Sequence, residues 1–110
     1  MANTNLGALV LDDGGIAAAN QTPLKGVRLF SQTITPASVA AATVAEQTFT
    51  VTGLTTADDV MVNPAAIANA TGIAGVRVSA ADTLAVRFVN PTAGALTPTA
   101  GTWAIIALRF

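Results

Sequence analysis

Histidine, cysteine and tyrosine do not occur in this 110-residue chain, and the three absences remove much of enzymatic chemistry. Without histidine there is no imidazole to serve as general base or metal ligand near neutral pH. Without cysteine there is no thiolate nucleophile, no zinc–thiolate site and no disulfide to reinforce a small core. Charge is scarce as well. Lys25, Arg28, Arg77, Arg87 and Arg109 are the basic residues; Asp12, Asp13, Glu46, Asp58, Asp59 and Asp82 are the acidic ones. Charged residues make up 10% of the chain, against about 25% in an average soluble domain. The net charge is −1 and no stretch clusters Lys or Arg, which excludes a phosphate-gripping nucleic-acid surface. No apolar run reaches the roughly 20 residues of a membrane helix. The start, Met1-Ala-Asn-Thr-Asn-Leu6, lacks a basic leader region, so export by an ordinary signal peptide is not expected.

What is present is apolar: 52% of residues are hydrophobic and the mean hydropathy is +0.59. A monomer of this mass exposes on the order of 5,600 Å². Five cations and six anions cover such a surface thinly, so Ala, Thr and Val must be exposed on an isolated copy. Extended apolar surface of that kind usually marks an interaction face, and the expectation is a homo-oligomer.

The remaining candidates for chemistry are carboxylates. Asp12-Asp13 and Asp58-Asp59 are adjacent pairs, and neighbours on an extended strand point to opposite faces. A calcium site from Asp58, Asp59 and Asp82 is conceivable chemically, but no EF-hand-like spacing supports one. Gly14-Gly15 and Gly72–Gly75 lack any phosphate-loop context and read as turns. The sequence therefore predicts no catalytic residue, no cofactor and no metal site.

Along the chain, Leu6–Leu11 is a short apolar run, followed by the turn signal Asp12-Asp13-Gly14-Gly15 and then Ile16–Pro23. Residues 1–25 read as an extended N-terminal arm that orders against a neighbour, with an ordinary first hairpin as the alternative. From Gly26 the pattern is β. Val27, Leu29 and Phe30 belong to a run continuing to Ile34 and ended by Pro36. Thr48–Thr52 alternates, with Phe49 and Val51 on one side and threonines on the other. Val60–Val62 forms a third strand, ended by Asn63-Pro64. Ala74, Val76 and Val78 alternate with Arg77, and Leu84, Val86 and Phe88 alternate with Ala85, Arg87 and Val89, closed by Asn90-Pro91. Trp103–Phe110 is apolar in both phases, which predicts a strand buried on both sides, either centrally in a sandwich or against a second subunit. Apart from the Ala-rich stretch Ala40–Ala45 and the loop Ala65–Ala70, nothing argues for a helix longer than a turn or two. Asp58…Asn63-Pro64 and Asp82…Asn90-Pro91 echo one another, which suggests two equivalent turns. The expectation is one all-β domain over 26–110, a β-sandwich of jelly-roll-like kind.

Four segments, Pro36–Leu54, Asp59–Pro64, Gly72–Pro91 and Gly101–Arg109, taken in that order, resemble a small β-module of tailed bacteriophages. The module occurs in head decoration (cement) proteins and other small virion proteins. The resemblance runs from about Ser31 to Phe110 and leaves the first thirty residues unmatched. It implies a non-enzymatic structural protein of the virion, made in the host cytoplasm and carried on the capsid surface. It further implies a homotrimer that binds the major capsid protein. From the residues themselves, the doubly apolar last strand makes Trp103, Ile105, Ile106, Leu108 and Phe110 the expected oligomer contacts, and the apolar run of the arm makes Leu6, Leu9, Val10 and Leu11 the expected capsid contacts. The alternative is a head-fibre or tail-associated adhesion module that contacts the host surface or glycans.

Overall fold

The structure, a computed structural model, describes residues 24–66 and 69–110. Six strands follow one another: β1 (Gly26–Ile34), β2 (Thr43–Thr50), β3 (Asp58–Asn63), β4 (Gly72–Ala80), β5 (Thr83–Asn90) and β6 (Gly101–Arg109). They form two antiparallel sheets of three strands, ordered β1-β6-β3 and β2-β5-β4. No helix occurs among the described residues. The Ala-rich stretch that leaned towards helix instead enters β2 at Thr43, because Thr43 and Val44 are β-branched and Val44–Phe49 continues the alternation.

Each sheet has its most apolar strand at the centre, where both neighbours cover it. In β5, Leu84, Val86 and Phe88 are fully buried, and Ala85 on the other phase is buried too. Together with Trp103, Ile105 and Ala107 of β6, Ile34 of β1 and the loop residues Val39, Val51 and Leu54, they form one apolar cluster shared by both sheets. Phe88 is at its middle, packed edge-on to Phe49 at 6.4 Å and to Trp103 at 6.1 Å between ring centroids. Such T-shaped pairs add about 0.5–1.5 kcal/mol beyond the area they bury. The expected common core of Phe49, Val51, Val76, Val78, Leu84, Val86 and Phe88 is therefore present. Ala74 departs from its expected phase. It is the extra residue of a bulge between Ile73 and Gly75, which swings Ile73 and Val76 inward together and leaves Ala74 exposed.

The sheets are laced at both ends. At one end the two-residue turn Ala81-Asp82 closes the β4–β5 hairpin with Asp82 at φ +59°, a left-handed conformation that Asp tolerates. Its backbone and carboxylate then receive Val51 and Gly53 amides, tying the hairpin tip to the β2–β3 loop. Gly53 itself has φ +104°, and a Cβ there would come within 3.1 Å of the Phe30 ring, so only glycine fits without rearrangement. At the other end Val39, completely buried, forms an isolated bridge with Leu96.

Candidate functional site

Alternation fixes which side chains face away from the shared core. On the β1-β6-β3 sheet the outward phase is Val27, Leu29, Ser31 on β1, Ala104, Ile106, Leu108 on β6, and Asp59, Met61, Asn63 on β3. Register sets these in rows: Val27–Leu108–Asp59, then Leu29–Ile106–Met61, then Ser31–Ala104–Asn63. The middle row is wholly apolar and crosses the sheet from edge to edge. Leu29 is 75% exposed, Met61 52%, Phe110 45% and Val27 41%. Ile106 and Leu108 between them are half-buried only because their neighbours flank them.

The outer face of the β2-β5-β4 sheet has a different composition. Its rows include Glu46–Arg87 and Thr48–Ala85–Arg77, edged by Thr50 and Thr83, and Val44 is its one large exposed apolar side chain. Arg77 grips Glu46 through Nε at 3.0 Å and a second nitrogen at 2.9 Å. That hydrogen bond lowers the Glu46 pKa and outweighs a small opposing loss of hydration, with the charges of Arg77 and Arg87 assisting. An open depression of about 260 Å³ lies beside the bulge, lined by Glu46, Ala74, Gly75, Val76, Arg77 and Arg87.

These placements divide the expected oligomer residues. Trp103 (2% exposed) and Ile105 (0%) lie in the chain's own core, so a neighbour could reach them only by opening it. Ile106, Leu108 and Phe110 are on the outer face and remain available. Within one copy the strand is buried on one side only, because no further layer of the described residues covers the other, and the expected cover by a second subunit belongs to the proposal below. Leu6, Leu9, Val10 and Leu11 lie outside the described residues, as does nearly all of the expected arm. Lys25, just before β1, is tied to the sheet by its amide, which donates to the Arg109 carbonyl at 2.6 Å.

The inward phase of the same sheet ends in an ionic cluster that pattern reading missed. Asp58 is in register with Arg109, and its fully buried carboxylate accepts from Arg109 Nε at 2.9 Å, from Arg28 and from the Thr55 amide. Burial alone would raise its pKa. The Arg109 and Thr55 hydrogen bonds and the charges of Arg109 and Arg28 outweigh that and hold it below the usual carboxylate value. Arg28 also donates to the Gly53 carbonyl and stacks 5.3 Å over the Phe30 ring. Asp58 is thus occupied by two guanidiniums, Asp59 points the opposite way, and the Asp82 carboxylate at the neighbouring hairpin tip is taken by the Gly53 amide. No group of three or more acidic residues among those described could hold a metal ion.

A second missed cluster orders the opposite end. Asn90 is buried, and its amide donates to the Val39, Ala40 and Gly94 carbonyls while its oxygen accepts from the Thr92 amide and hydroxyl. Asn69 does the same on a smaller scale, accepting from the Thr71 amide and hydroxyl and donating to the Thr97 carbonyl. The equivalent turns are therefore Asn69-Ala-Thr71 and Asn90-Pro-Thr92, whereas Asn63, expected as the echo of Asn90, is exposed. The Asn-x-Thr spacing was the signal to follow. No family model, curated protein or solved structure matches the chain.

Proposed function

We propose that this chain is a structural virion protein, a capsid decoration protein that acts as an oligomer and stabilises a phage head by bridging copies of the major capsid protein. One observation carries the reading. The β1-β6-β3 sheet presents a row of Leu29, Ile106 and Met61 to solvent in a chain with only 10% charged residues, and such a face requires a covering partner. The polar clusters at Asp58 and Asn90 have their hydrogen bonds satisfied within the fold, which suits a scaffold rather than a reaction centre. The two sheets make a β-sandwich in this reading, with residues 1–25 as the arm that reaches the capsid. The jelly-roll variant needs eight strands, two more than the described residues supply. The trimer is the arrangement that the phage resemblance implies.

An adhesion module on a fibre or tail is the second reading. The depression beside Arg77 and Arg87 has two guanidiniums for an acidic sugar but no aromatic platform, so the decoration reading is favoured. The deciding experiment is to add the purified chain to undecorated heads of the phage that encodes it and locate it by reconstruction. Ordered density on the shell, reduced when Leu6, Leu9, Val10 and Leu11 are all replaced by Ser, is the expected result. Density on the tail, or none, overturns it.

A further inference from the structure

Beside its apolar row, the outer face of the β1-β6-β3 sheet carries one cation and one anion, on opposite edges. Lys25 precedes β1 in the same exposed phase as Val27 and Leu29. Asp59, on β3, is aligned through Leu108 with Val27. Neither has an ion-pair partner among the described residues.

We infer that this face pairs with the same face of a second copy about a two-fold axis running along β6. Such an axis lays β3 of one copy over β1 of the other at the same height. Leu29 then meets Met61 of the copy across a seam of two Ile106 side chains, and Asp59 of each copy meets the Lys25–Val27 end of the other. Two charge pairs flank one apolar strip, as an isologous contact requires. The other in-plane axis, perpendicular to the strands, sets β1 on β1 and brings Lys25 over Thr33 and Asp59 over Asn63, with no complementary charge. Sheets stack about 10 Å apart, close to aligned, which suits this contact. Two strands of nine residues and one of six give a face of roughly 400 Å². That is about half the ~800 Å² that each partner gives to a standard interface, so the pair is reversible and concentration-dependent.

The inference rests on the reading of this face as the oligomer contact and gives it a two-fold pair in place of the three-fold ring that the resemblance implies; its test is separable from head binding. Sedimentation equilibrium of the full chain over a wide concentration range is expected to show mass rising from one protomer to two. Leu29→Glu places charges in the seam and is expected to weaken pairing at least about a hundredfold. Val44→Glu, on the other sheet's outer face, leaves it unchanged. Lys25→Glu and Asp59→Lys each weaken pairing about tenfold, since each removes both charge pairs, and the double variant Lys25→Glu/Asp59→Lys restores it. A protomer mass at every concentration overturns the inference, and so does a double variant no better than either single. A trimer indifferent to Leu29→Glu also overturns it while leaving the virion reading in place. A chain that pairs as described yet never binds heads does the converse.

Discussion

The two sheets have three strands each, a central strand from the second half of the chain, and inner faces that meet in one apolar cluster, yet their outer faces differ. The β2-β5-β4 sheet turns Glu46, Thr48, Thr50, Arg77 and Arg87 to solvent; the β1-β6-β3 sheet turns out Val27, Leu29, Met61, Ile106 and Leu108. Folding needs only the inner faces, so the outer faces are free to be specified by something else. One of them is composed for water, and the other is the face we propose for contact. The same division holds for the ion pairs. On the first sheet the carboxylate of Asp58 is inside, between two guanidiniums, whereas on the second that of Glu46 is outside, on one.

If the two inner faces are one core, damage at their shared centre should unfold both sheets together. Phe88→Ala removes the ring between Phe49 and Trp103 and is expected to cost about 3–5 kcal/mol in a denaturant titration. The transition should stay single, with tryptophan fluorescence and far-UV circular dichroism losing signal at the same denaturant concentration. Two separated transitions would mean that the sheets are independent units.

Next in size is the loop-ordering asparagine of β5. Asn90→Ala strands the Val39, Ala40 and Gly94 carbonyls and the Thr92 groups, the bond to Val39 being buried and the others partly buried. The expected loss is about 2–4 kcal/mol, from several hydrogen bonds and unsatisfied buried partners. Asn69→Ala, whose amide is exposed, should lose clearly less. Equal losses would show that the turn conformation, rather than the buried bonding of Asn90, carries the effect.

These contrasts also mark what was legible in the sequence. Strands such as Thr48–Val51 and Leu84–Phe88 could be read because one phase is apolar and the other polar or small, so period two names both the strand and its inner face. In β1 and β6 both phases are apolar. The pattern locates the strand, but Val27 and Leu29 look as fit for the core as Phe30 and Ile34, and Ile106 as fit as Ile105. Only pairing between distant strands decides, and it sent Leu29 outward. The start of β2 was hidden because Ala42 and Ala45 carry little preference for strand. The pattern gives Asp58 only a local place at the opening of a strand, since its partners Arg28 and Arg109 lie 30 and 51 residues away and local pattern carries no register between strands. One clue was present: Arg109 shares the phase of Trp103, Ile105 and Ala107, an inner position where a cation needs a partner.

Third comes Asp58→Asn, which leaves two guanidiniums facing a neutral amide. Breaking a fully buried pair costs about 3–5 kcal/mol, but both arginines are more than a third exposed, so the expected loss near neutral pH is about 2–3 kcal/mol. Because the folded pKa of Asp58 is lowered, its stabilisation is complete above the unfolded value of about 4 and is lost as pH falls through the folded one. Wild type should therefore lose stability on acidification below about pH 4, and Asp58→Asn should have a flatter profile there. Denaturant midpoints measured from neutral pH down to about pH 2 would show the two curves converging; parallel curves would remove Asp58 from the acid response.

The smallest effect, and the sharpest test of the contrast between sheets, is Glu46→Gln. Its pKa is lowered by the Arg77 hydrogen bond, as that of Asp58 is lowered by Arg109, so the sign of its pH dependence is the same: support present above the unfolded value and lost as pH falls through the folded one. The magnitude is what differs. Water competes for both Glu46 and Arg77, dissolved ions screen them, and holding two long side chains in one geometry costs rotamer entropy. Glu46→Gln is therefore expected to leave both the neutral-pH midpoint and the shape of the acid profile unresolved from wild type, in low salt as in high. Asp58, enclosed by protein, should retain its effect when salt is raised. If Glu46→Gln instead reproduced the flattened profile of Asp58→Asn, the outer face of the second sheet would be held together by its charges. The division into one face for water and one for contact would then have to be abandoned.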